Sequence, residues 1–299
     1  MSKQKVKIVE VGPRDGLQNE TAIISSQTKI DLINRLADAG LAHIEAASFV
    51  SPRWVPQMAD AEQVMRGYTA KAGVSYSALV PNLKGLENAI EAGVQEIAVF
   101  TAASEAFCQK NINCSVAQSL KRFTDIMALA SDRQIKVRGY VSTVLGCPYQ
   151  GEVSLAQVSD VSSALYEMGC YEISLGDTIG VGTADKVEQL IRNCQKTIPL
   201  EDLAVHFHDS YGQGLVNIYA ALSQGIRTVD TSISGLGGCP YANGATGNVA
   251  TEDVVYMLHG LGYETDIDLN KLVAAGHWIS DQLQRINGSK TGLAMNKRR

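Results

Sequence analysis

Several functional classes are excluded by what this sequence has little of. Basic residues are not in excess, and the formal net charge is −5. Bulk electrostatics therefore give a nucleic acid no hold, and no nucleic-acid partner is expected. No apolar run reaches the about 20 residues that a membrane-spanning helix needs, so no membrane partner is expected either. The six cysteines, Cys108, Cys114, Cys147, Cys170, Cys194 and Cys239, form no Cys-x-x-Cys pair. A chain this long can build its core without staples, so reduced thiols in a cytoplasmic compartment are the expectation. No signal peptide or Arg-rich presequence precedes the first strand pattern, and no peroxisomal ending closes the chain. The glycine cluster from Gly235 lacks the Gly-x-Gly-x-x-Gly pattern, because Pro240 stands three places after Gly237. That removes dinucleotide binding. No Pro/Gly/Ser-rich linker interrupts the chain, so residues 1–299 are expected to form a single domain.

What is present is regular. Hydrophobic residues make up 45% and charged residues 19%, the balance of an ordinary globular protein. Short β-branched runs alternate with helical patterns from end to end. Strands are expected at Val6–Val11, His43–Phe49, Val74–Val80, Glu96–Ala102, Lys136–Val144, Glu172–Leu175, Leu203–His208 and Arg227–Ile233. A helix follows each, with Asn82 and Ser115 as starts and Gly40, Gly93, Gly169 and Gly225 as stops. Two further helices are expected near Glu252–Leu261 and Leu269–Arg285. Eight strand–helix units of about 30–35 residues predict an α/β fold, a (β/α)8 TIM barrel with extra C-terminal helices. A doubly wound open sheet is the alternative, but it needs a switch point and usually a phosphate loop, and neither is evident. The longest loops are expected at Ala103–Cys114 and Gly235–Asn248.

In such a barrel the active site lies where the strands end, so candidates can be collected by position. Strand seven ends in His206 and His208. Residues two apart on a strand face the same way, about 6.5–7 Å apart, so both imidazoles can reach one ion. Two histidines packed in the barrel interior is the plainer reading, and burying both without a partner is costly. After strand one, Arg14 offers a fixed cation with five donors and Asp15 a hard oxygen ligand. Glu45 sits inside an apolar run, where a carboxylate needs a partner. Asp177 follows strand six. Cys239 lies on a Gly-hinged loop able to close over a substrate and exclude water. Two histidines, Asp15 and the amide oxygen of Asn248 make a mixed nitrogen and oxygen set with open positions, which favours Mg²⁺ or Mn²⁺. Cys239 as a thiolate ligand would suggest zinc instead.

Five stretches together resemble the 3-hydroxy-3-methylglutaryl-coenzyme A lyases: Val11–Glu20, Ser48–Met58, Gly146–Tyr149, Glu172–Thr183 and Gly235–Tyr241. The resemblance covers nearly the whole chain. It implies cleavage of the acyl-CoA to acetyl-CoA and acetoacetate, a step of leucine degradation and ketone-body chemistry. It implies a divalent cation held by Asp15, His206, His208 and Asn248. Arg14, Glu45, Asp177 and Cys239 match catalytic positions, and Gln18, Ser48, Tyr140 and Ser174 match pocket-lining ones. In a retro-Claisen cleavage, Asp15 or His206 would take the hydroxyl proton, and Arg14 would stabilise charge on the thioester oxygen. Cys239 would protonate the enolate carbon, with Glu45 relaying protons. The chain end lacks the cysteine-containing tail of animal relatives, which points to a bacterial-type cytosolic enzyme. A homodimer is plausible for a barrel with added C-terminal helices. Two rival classes share parts of this pattern. An isopropylmalate- or homocitrate-type synthase would carry an Asp-Arg-Glu-like order after strand one and a long C-terminal extension. A non-catalytic metal or CoA-ester binder would not need Arg14, Glu45, Asp177 and Cys239 at strand ends.

Overall fold

The computed structural model describes residues 4–238 and 247–296. Eight parallel strands close into a barrel in chain order: β1 (Lys7–Glu10), β2 (His43–Ser48), β3 (Ser75–Leu79), β4 (Glu96–Ala102), β5 (Lys136–Ser142), β6 (Glu172–Asp177), β7 (Leu203–Phe207) and β8 (Thr228–Thr231). Closure is made by β1 on β8, with Lys7 opposite Thr228 and Glu10 opposite Thr231. The helices between them are α1 (Ser26–Asp38), α2 (Ala61–Gly67), α3 (Leu83–Glu91), α4 (Glu105–Ile112), α5 (Val116–Asp132), α6 (Leu155–Glu167), α7 (Ala184–Cys194) and α8 (Gly214–Ser223). Three more follow, α9 (Thr251–Gly260), α10 (Leu269–Gln282) and α11 (Lys290–Met295).

Helix starts follow their capping residues. Asn82 accepts from Gly85 N, while Ser115 with Gln118 and Ser154 with Gln157 form reciprocal capping boxes. At Gly40 the chain turns with φ of 100°, and a Cβ there would lie 2.3 Å from Asp266 O. Only glycine fits that close a backbone approach.

Three sequence expectations are corrected. Ala103–Cys114 is not a loop. It contains α4, whose N-cap Ser104 accepts from Phe107 N. Strand six runs two residues beyond Leu175, so Asp177 is its last residue and does not follow it. Strand eight is only Thr228–Thr231, because Ile233–Gly235 is already a tight helical turn.

The apolar core lies between the sheet and the helices. Leu32, Ile33 and Leu36 of α1, Leu190 and Ile191 of α7, and Ile97 and Val205 of the sheet belong to one cluster. The inside of the barrel is different. A small apolar group of Leu79, Ala98 and Tyr140 is separate from the main core. Next to it runs a buried ion chain. Arg138 Nε donates to Glu172 Oε1 at 2.7 Å, its Nη2 donates to Asp230 Oδ1 at 2.7 Å, and Lys7 pairs with Glu172 from the start of β1.

Candidate active site

The exits of β1, β2, β7 and β8 build the site. Immediately after β1 the chain makes a π-helical turn, Gly12–Gly16, in which Arg14, Asp15 and Gly16 all donate their backbone N–H to Val11 O. Such wide turns recur at functional sites because they re-aim side chains. The turn needs glycine at its start, since a Cβ on Gly12 would sit 2.5 Å from Glu10 Oε1. It places Arg14 and Asp15 side by side over the barrel.

Arg14 is buried and joins two carboxylates. Nη1 donates to Asp15 Oδ1 at 2.6 Å, and Nη2 donates to Glu45 Oε2 at 2.9 Å. Tyr140 donates its hydroxyl to the same Glu45 oxygen at 2.9 Å. Burial works against the Arg14 charge, but Glu45 and Asp15 outweigh it and hold the group cationic well above its ordinary range. Asp15 is pushed up by burial and pulled down further by Arg14 and the two imidazoles, to about 2. It is a carboxylate at any physiological pH.

His206 and His208 face Asp15. Their rings are 5.4 Å apart between centroids. Donor atoms of Asp15, His206 and His208 all lie within 4.8 Å of one another, the one such group of three among the described residues. Asn248 lies beside them. Its amide Nδ2 donates to Asp15 Oδ2 at 2.8 Å and to Leu236 O at 3.1 Å, and the pairing of His208 with Asn248 ties the two segments together. Two acceptors on the amide nitrogen fix the flip of the side chain and leave its oxygen without either of them.

The two imidazoles have different surroundings. Burial lowers both, but Asp230 and Asp15 more than reverse this for His206, which ends above its ordinary value. His208 has burial and the neighbouring His206 against it and is lowered to about 4. His208 is therefore a neutral imidazole at neutral pH, the form that ligates a metal.

Several of the residues expected at the site carry a buried polar atom without a hydrogen-bond partner among the described residues: Arg14 Nε, Gln18 Oε1, Glu45 Oε1, Ser48 Oγ, His206 Nδ1 and His208 Nδ1. Orphaned buried groups each cost about 1–3 kcal/mol, so each calls for a partner that the protein chain does not supply. The three clustered donors, one carboxylate and two imidazoles, fit a divalent cation.

Two expected residues have different surroundings. Asp177 is fully buried and raised by that burial. Its oxygens accept from Gly182 N at 2.8 Å and Val181 N at 3.3 Å, so it shapes the turn after β6. The Ser174 hydroxyl is committed to Asp230 Oδ2 at 2.7 Å. Cys239 lies outside the described residues. Asp230, Arg138 and Glu172 were not anticipated. Their signal was present as polar residues at alternate positions of β5, β6 and β8, pointing inward where apolar side chains are usual.

Residues 5–279 match the family described as HMGL-like. The chain is 55% identical over 295 residues to the hydroxymethylglutaryl-CoA lyase of Pseudomonas mevalonii, covering 99% of this chain and 98% of that protein. It is 56% identical over 292 residues to a 3-hydroxy-3-isohexenylglutaryl-CoA/hydroxymethylglutaryl-CoA lyase of Pseudomonas aeruginosa, covering 98% and 97%. The crystal structure of hydroxymethylglutaryl-CoA lyase from Pseudomonas aeruginosa superposes with a TM-score of 0.96 at 56% identity, covering 99% of both chains. With a barrel of the same form and a match that spans the site from Arg14 to Asn248, the chain belongs to the HMGL-like family, in its hydroxymethylglutaryl-CoA lyase branch.

Proposed function

We propose that this chain cleaves 3-hydroxy-3-methylglutaryl-CoA to acetyl-CoA and acetoacetate, with Mg²⁺ or Mn²⁺ held by Asp15, His206, His208 and the Asn248 amide oxygen. The observation that carries this reading is the convergence of Asp15, His206 and His208 directly beside the Arg14–Glu45 pair. When bound, the cation supplies Lewis acidity to the C3 hydroxyl and a carboxylate oxygen of the substrate.

The chain's own groups do the rest. Asp15 or His206 takes the C3 hydroxyl proton. The C2–C3 bond then breaks, leaving a ketone on one side and a thioester enolate on the other. Arg14, held cationic and aimed by Glu45 and Asp15, stabilises the charge on the thioester oxygen through Nε and its remaining N–H groups. Tyr140 fixes Glu45 from the opposite side, and Glu45 passes protons on. Cys239, mostly a thiol given a reference pKa of about 8.5, returns a proton to the enolate carbon. Gln18 and Ser48, with free polar atoms, line the acyl pocket. Ser174 is a pocket residue whose hydroxyl also braces Asp230, and Asp177 acts by shaping the turn after β6.

In this reading the whole chain, including the C-terminal helices, is one catalytic domain. It works in the cytoplasm, as a homodimer, on an acyl-CoA substrate. No helix among the described residues is long and apolar enough to cross a membrane. The test is acetoacetate release from the thioester with chelator, then with Mg²⁺ or Mn²⁺ restored. Condensation of acetyl-CoA with a 2-oxo acid and no cleavage would move the chain to the synthase class. A longer branched acyl group is the second reading, favoured by the two activities in the name of the Pseudomonas aeruginosa relative. Competition between the two thioesters separates them.

A further inference from the structure

We propose that Asp230 is a positioning residue for His206: it holds the ring so that the other nitrogen meets the cation. The proposal rests on the metal reading above and adds a residue to it. In the register of β7 on β8, His206 lies directly opposite Asp230. Their nearest atoms, His206 Nδ1 and Asp230 Oδ2, are 3.4 Å apart, a distance that a small ring rotation converts into a hydrogen bond. A carboxylate on the far nitrogen of a ligating imidazole fixes its tautomer and orientation and raises its basicity as a ligand.

Asp230 is itself immobilised. Arg138 grips it with two donors, Nη1 to Oδ2 at 3.0 Å and Nη2 to Oδ1 at 2.7 Å, and Ser174 Oγ donates to Oδ2 at 2.7 Å. Arg138 is fixed in turn by Glu172 at 2.7 Å, and its Nη1 donates to the Tyr140 hydroxyl at 2.9 Å. Planar two-point pairing of this kind sets direction as well as charge. A carboxylate so completely buried and bonded is an expensive feature to build, and its remaining neighbour is His206. Neither imidazole Nδ1 makes a hydrogen bond among the described residues, but of the two only that of His206 has a carboxylate within ion-pair distance. The two histidines therefore differ: one has a carboxylate beside its Nδ1 and, among the described residues, the other does not.

The test measures Mn²⁺ binding to the protein without substrate, by the electron paramagnetic resonance signal of free Mn²⁺ during titration. Asp230→Asn is expected to weaken Mn²⁺ about 10–100-fold. In a His208→Ala background that loss persists, and in a His206→Ala background it disappears, because the ring through which Asp230 acts is gone. An unchanged affinity, or an equal loss in both backgrounds, overturns the proposal. Should Asp230→Asn not fold, Ser174→Ala decides: it leaves both Arg138 bonds in place and removes one brace. A several-fold weakening supports the assignment and no change overturns it. A wild-type chain that takes up no Mn²⁺ ends the metal reading itself, and the positioning role with it.

Discussion

At the scale of the residue, Arg14 is the group on which the chemistry turns. It is buried, yet it carries charge because Glu45 and Asp15 flank it at 2.9 and 2.6 Å. Asp15 serves both Arg14 and the cation cluster, so the charge-stabilising group and the ligand set are joined through one carboxylate. Arg14→Gln is predicted to leave Mn²⁺ affinity within a few-fold of wild type while turnover falls about 10²–10³-fold, the usual cost of one preorganised donor. Steady-state kinetics beside the metal titration checks it, and an unimpaired turnover number would remove Arg14 from the chemistry. Much at this scale was legible beforehand. Two histidines at i and i+2 are a local pattern that strand geometry converts directly into proximity, and a carboxylate at the exit of β1 is brought to the same mouth by barrel closure. Asp230 was not legible, since its role comes only from register: nothing near it in sequence shows that it faces His206. Ser174 was read as a pocket residue, and where its hydroxyl goes depends on that same unseen neighbour.

At the scale of the element, the exits of β1 and β8 are locked together by one buried acid. Glu10 Oε1 accepts from Gly12 N at 2.7 Å and Ile233 N at 2.9 Å, and Oε2 accepts from Thr251 Oγ1 at 2.6 Å. It thus holds the start of the Arg14 turn and the base of the Gly235–Asn248 segment. Burial outweighs these bonds and raises Glu10 from 4.5 to about 7. A carboxyl raised in the folded state binds its proton more tightly there than when unfolded. Stability from it is therefore highest below about pH 4.5 and is lost as pH rises toward 7, by roughly 3 kcal/mol at about 1.4 per unit. Glu10→Gln keeps an acceptor for both backbone N–H groups and has no proton to lose. The wild type should lose stability relative to this variant between pH 4.5 and 7 in denaturant titrations, and parallel curves would refute the assignment. Element boundaries were readable where caps and glycines mark them, as at Asn82, Ser115 and Gly93. The helix α4 was not, because Glu105–Ile112 is short and mixed in polarity and only Ser104 announces it.

At the scale of the whole molecule, the barrel keeps its apolar core outside the sheet and runs charge through its middle. Lys7, Glu172, Arg138 and Asp230 link the entry of β1 to the ring of His206 at the opposite mouth. Arg138→Leu leaves the buried Asp230 without its arginine and Glu172 with Lys7 alone, and about 3–5 kcal/mol of stability should go with it. Equilibrium unfolding reads this, and a loss under about 1 kcal/mol would show that the chain of ions is not structural. The barrel itself followed from eight repeated units and their glycine stops. Its polar interior did not, because a lone Arg or Asp inside a strand pattern reads as a strand end until closure brings four strands to one axis. The most direct measurement is the rate of acetoacetate formation from 3-hydroxy-3-methylglutaryl-CoA as Mg²⁺ or Mn²⁺ is titrated into metal-stripped protein, wild type beside His208→Ala. The account predicts no cleavage without metal and a wild-type rate that saturates with bound ion, one acetyl-CoA appearing for each acetoacetate. It also predicts a His208→Ala curve displaced to higher metal concentration. Cleavage that persists in the stripped protein, or a substituted chain whose curve overlays the wild type, would contradict it.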